Sequence, residues 1–198
     1  MTEITAETLD PRARERFPIG WWGMAIVVAS EGTLFAMMVG TYFYLRFRTP
    51  VWPPAGVPKP HVLVPAVVLG CLVLTAIPMR LASVAGQAGR LRATRWLLVL
   101  ATLVQAGYFW VEVWSYLEDL EKSTPQRDAY DSIYYTLLGA DHAHIAIGVL
   151  LNLWLLWKLR YGFTQYRTTA LRAISFFWLA VIVMTVVVIL TTLSPSFT

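Results

Sequence analysis

A chain of 198 residues that is 57% hydrophobic and only 14% charged, with a mean hydropathy of +0.57, reads as a membrane protein rather than one soluble domain. Its net charge of +4 does not point to nucleic acid, because the basic residues fall in short connectors between apolar spans, where they specify membrane topology. The single cysteine, Cys71, excludes a disulfide framework and a thiolate metal cluster, and inside its apolar span it is expected to be a small buried hydrophobe.

Residues 1–20 mix Glu3, Glu7, Asp10 and Glu15 with Arg12, Arg14 and Arg16 and hold no apolar core, so they read as a polar tail. The apolar stretch that follows is too long for a signal-peptide core and lacks a small-residue cleavage pattern, which makes it an uncleaved first helix. Residues 21–45 carry no charge except Glu31, and at about 1.5 Å per residue they exceed a hydrocarbon core of roughly 30 Å. An ionisable group at that depth is costly, so Glu31 is a candidate functional residue; the plainer reading is a protonated carboxyl bonded to a neighbouring helix. Ala25, Ala29, Gly32, Ala36 and Gly40 recur every three or four residues and form a face that another backbone can approach closely. Glu31 points the other way, with Met24, Val27, Val28, Leu34, Phe35 and Met38, toward another helix of the chain, a lipid or a partner.

Five prolines between Arg46 and His61 forbid a helix and predict a fixed, extended surface loop, with Trp52 suited to the membrane interface. A second span covers residues 62–81, with Pro65 in its first turn and a kink or stop expected at Pro78. Arg80, Arg90, Arg92 and Arg95 form the next connector, with no acid among them. The third span, 96–117, places Gln105, Tyr108 and Glu112 on one face. An acidic loop follows over 118–131. The fourth span, 132–157, holds the densest polar cluster: Asp141 and His144 share a face with Gly148, while His142 points away. A fifth span, 173–193, is apolar apart from Ser175, Thr185 and two late threonines. The expected fold is therefore an all-α bundle of five transmembrane helices over 21–198.

Cations set the orientation. Arg12, Arg14, Arg16, Arg80, Arg90, Arg92, Arg95, Lys158, Arg160, Arg167 and Arg172 lie on one side, against Arg46, Arg48, Lys59, Lys122 and Arg127 on the other. Cytoplasmic segments are Lys/Arg-rich, so the tail is expected in the cytoplasm and the C-terminus outside. On this topology Glu31 and His144 differ in depth by only about 5 Å, close enough to touch. With three histidines, His61 at a boundary and His142 and His144 diverging, a bis-histidine haem site within the chain is not expected. Asp141, His144 and Glu31 fall short of the converging ligands that zinc or copper takes, so no metal is assigned and a paired polar cluster is expected instead. Walker, dinucleotide and nucleophile motifs are absent, and no residue is assigned a catalytic role.

In order, ASEGTLFAMMVGTYFYLR around Ser30-Glu31, the loop WPPAGVP, a third helix with Gln105 and an acid, and YDSIYYTLLGADHAHIAIG resemble the cytochrome c oxidase subunit 3 family of haem-copper oxidases, in its five-helix form. His144 and Gly148 correspond to the second histidine and the glycine of that family's H-x-x-H-x-x-x-G pattern, while Asp141 stands where its first histidine falls. The family places its acid three residues after the glutamine; here Tyr108 stands there and Glu112 is seven residues on. The resemblance implies an accessory subunit of a terminal oxidase in a bacterial cytoplasmic membrane. Haem and copper would reside in partner subunits 1 and 2, phospholipid would bind between helices, and the chain would support proton uptake and stability during turnover. Anionic head groups would then meet Arg80, Arg92, Arg95, Arg172 and Trp96, although these cations also serve as topology signals. The alternatives are a related protein of a nitric oxide reductase system and a stand-alone proton-linked transporter using Glu31 and His144.

Overall fold

The computed structural model describes residues 18–55, 57 and 62–197. Most of the tail, and with it the expectation for residues 1–17, lies outside the described residues, as do Gly56, residues 58–61 including His61, and Thr198. Five stretches are long and apolar enough to cross a membrane: Ile19–Arg48, Leu63–Gln87, Leu91–Lys122, Ala129–Leu159 and Gln165–Ser196. The second is broken, so the helices are α1 (Ile19–Arg48), α2 (Leu63–Leu74), α3 (Ala76–Gln87), α4 (Leu91–Lys122), α5 (Ala129–Leu159) and α6 (Gln165–Leu193), closed by a 3-10 turn at Ser194–Phe197.

The helices overrun the apolar windows at most ends, because a polar residue beyond the hydrocarbon still satisfies its backbone within a helix. Arg80 consequently lies in α3 and Arg92 and Arg95 in α4, and the arginine-rich connector shrinks to residues 88–90. Gly89, at φ 71°, makes the turn possible: its N–H bonds Gly86 O at 3.1 Å and that of Arg90 bonds Ala85 O at 2.9 Å, a Schellman ending. Likewise the acidic loop contracts to residues 123–128, with Glu118, Asp119 and Glu121 on α4 and Asp131 in α5. Asp128 caps α5 by accepting from Asp131 N at 2.9 Å, and Thr164 caps α6 by accepting from Arg167 N at 3.2 Å.

Pro78 kinks its span rather than ending it. The break comes three residues earlier, at Thr75, since a proline nitrogen offers no hydrogen to the carbonyl four residues back. Thr75 Oγ1 donates to Leu72 O at 2.6 Å and accepts from Trp178 Nε1 of α6 at 2.8 Å, so the kink is pinned from the facing helix. Trp178 in turn lies over Gly148 of α5, where a Cβ would come within 2.6 Å of the indole.

α6 is the central helix. It touches α1, α2, α3 and α5, and 56% of its most apolar stretch is buried, against 6% for α1. Among the described residues α1 packs only on α5 and α6, through Met24, Val28, Phe35, Met38 and Tyr42. Most of the small-residue stripe lies outside that contact, although a Cβ at Gly32 would come within 3.8 Å of Met184 on α6. Ala29, Ala36 and Gly40 are exposed, and nothing lies within 4 Å of a Cβ built at Gly40, because the larger side chains opposite supply the buried area. Val27 and Leu34, expected beside Glu31, also face outward, at 46% and 48% exposure. Cys71 departs from expectation too: it is exposed on α2, where a membrane imposes no penalty on an outward apolar side chain. Trp52 packs inward, with its ring 5.3 Å from that of Tyr42 and 5.0 Å from that of Tyr130.

Candidate functional site

The polar groups converge on α5. Asp141, His142 and His144 span about 4.5 Å of helix rise, and α5 packs against α1, α4 and α6, so each side chain reaches a different neighbour.

His144 meets Glu31, with Nε2 and Oε2 3.1 Å apart, a contact that their similar depths allow. Its Nδ1 lies 2.7 Å from Ala140 O, and a carbonyl only accepts, so Nδ1 carries a hydrogen. The short Nε2–Oε2 contact then needs one further proton, held either by the imidazolium or by the carboxyl. In both forms the pair is neutral overall, which is how an acid and a base tolerate a membrane interior. The ring of Phe35 stands edge-on to that of His144 at 5.1 Å, and the Glu31 side chain is 33% exposed at the bundle surface.

Asp141 faces α6 and is fully enclosed; Thr185 Oγ1 donates to its Oδ1 at 2.8 Å. Gly148, two turns on, lies against Trp178 of the same helix. His142 faces α4, where Nε2 lies 3.8 Å from Glu112 Oε2 and the ring is edge-on to Tyr116 at 5.3 Å. Gln105, also on α4, accepts from Asn152 Nδ2 at 2.6 Å; Asn152 Nδ2 lies 3.7 Å from Met79 Sδ. Gln105 Nε2, Asn152 Oδ1 and the Tyr108 hydroxyl have no hydrogen-bond partner among the described residues, so this amide pair leaves buried polar atoms unpaired. Gln105 and Glu112 thus both face α5, as their spacing predicts.

Sequence reasoning did not find three partnerships: His142 with Glu112, Gln105 with Asn152, and Asp141 with Thr185. The available signal was a lone polar residue in an apolar span, which predicts a partner without naming it.

The cations proposed for lipid separate into two kinds. Arg80 and Arg172 line one groove between α3 and α6 with Trp21, Ser83, Gln87 and Ser175, and its volume is about 610 Å³. Arg92 is exposed, as is Trp96 at 69%. Arg95 instead donates from Nη2 to Leu159 O and caps the end of α5, which turns it inward. Among the described residues no three His, Cys, Asp or Glu side chains come together as a metal-binding group. No protein-family model matches the chain.

Proposed function

We propose that this chain is an accessory, non-redox subunit of a haem-copper terminal oxidase of the cytochrome c oxidase type. The observation that carries the reading is the 3.1 Å contact between Glu31 and His144, which unites the two motif residues that the resemblance singles out on separate helices. Haem and copper on partner subunits 1 and 2 would supply electron transfer to oxygen. This chain's residues hold a neutral, proton-sharing pair at the bundle surface and offer Arg80 and Arg172 to an anionic phospholipid head group at the arginine-rich end. That end, with the tail, is assigned to the cytoplasm of a bacterial cell, because eleven of the sixteen Lys and Arg lie on its side.

Affinity purification of the tagged chain from its native membrane tests this reading. Recovery of a copper-containing oxidase core supports it. Recovery of a nitric oxide reductase core, or proton-coupled transport by the chain reconstituted alone, overturns it.

A further inference from the structure

We propose that Glu112 and His142 form a proton-binding site that exchanges with water at the acidic end of the bundle, independently of the Glu31–His144 pair. The two side chains are 14% and 9% exposed, and their 3.8 Å separation is too long for a direct hydrogen bond. Beside them lies a cavity of about 110 Å³, more than one water needs, so there is room for a water that bridges both groups.

The cavity wall leads outward. Glu112, Ser115, Tyr116 and Asp119 line it at spacings of three, four and seven residues, one face of α4 climbing about 10 Å to the last turn of that helix. There the Asp119 side chain is 42% exposed and pairs with Lys122 at 3.4 Å. Polar groups within a span take this arrangement where they border water rather than lipid. Across the cavity α5 contributes Tyr134 and His142, while α2 and α6 present no titratable side chain, only Val64, Pro65, Ile189, Thr192 and Leu193. Asp141, the next residue to His142, is bonded to Thr185.

No hydrogen bond fixes the tautomer of His142 among the described residues, in contrast to His144 on Ala140 O. A hydronium ion at the acidic end can therefore pass its proton through the cavity water to the neutral imidazole, leaving water and an imidazolium that faces the Glu112 carboxylate; release retraces the route.

Site-resolved exchange of the imidazole C2 hydrogen in D2O, read by mass spectrometry on the full chain in the complex it purifies with, tests the site. The His142 rate should exceed that of His144 and fall several-fold in Glu112→Gln at pH 8, as the negative charge facing the imidazolium is lost. Glu112→Asp should restore it. An exchange at His142 no faster than at His144 in the unaltered chain overturns the proposal whether or not the variants fold. An unchanged His142 rate in a folded Glu112→Gln chain overturns it equally.

Discussion

Two acid–imidazole pairs sit two residues apart on one helix, and they are built differently. Glu31–His144 is a direct contact: 3.1 Å, with one ring nitrogen committed to the backbone. Glu112–His142 is a separated one: 3.8 Å, with neither ring nitrogen hydrogen-bonded among the described residues and a cavity beside it. The difference teaches that two imidazoles within one turn of a helix can meet their acids in unlike surroundings, and the proposed exchange at His142 rests on that contrast. It also bears on how a membrane bundle can hold both: the first is neutral as a unit, and the second borders a cavity large enough for water.

The sharpest way to break the comparison is to remove the frame that both pairs share. Gly148→Leu drives a side chain into Trp178, so α5 can no longer seat on α6 and both pairs should be lost; we expect little folded protein by size-exclusion chromatography in mild detergent. Next in size, Gln105→Leu leaves Asn152 with no partner amide in the core and should cost about 1–3 kcal/mol, seen as a lower thermal midpoint, with the double change Gln105→Leu/Asn152→Leu recovering part of the loss. Asp128→Ala removes the cap that starts α5 and should cost about 1 kcal/mol in the same assay without altering the imidazole exchange of either histidine. The smallest effect on stability is expected from Glu31→Gln, whose amide can still donate to His144 Nε2. Assembly should stay intact, while sustained turnover or retained lipid changes; unchanged values of both over long turnover would remove the functional role of Glu31.

How much of this was legible depends on what the membrane penalises. The five spans were, because hydropathy is what inserts them, and so was the similar depth of Glu31 and His144, because antiparallel helices crossing one slab fix depth by counting residues. Rotation about each helix was harder to read. Lipid accepts an apolar side chain as readily as a helix does, so Cys71, Val27 and Leu34 carried no signal of facing outward, and the small stripe of α1 did not reveal that Gly32 would lie near α6 while Ala29, Ala36 and Gly40 face out of the bundle. The break at Thr75 was announced by Pro78 but displaced by three residues, since a proline disturbs the turn before itself. His142 was correctly separated from His144, yet its partner depended on the rotation of α4 against α5, which one sequence does not fix.

The central claim is that the metal centres of the complex lie on other chains. Its most direct measurement is the visible spectrum and metal content of the purified chain set beside those of the intact complex. The account predicts haem bands and copper in the complex and neither in the separated, folded chain. Stoichiometric haem, iron or copper retained by the chain alone would contradict it.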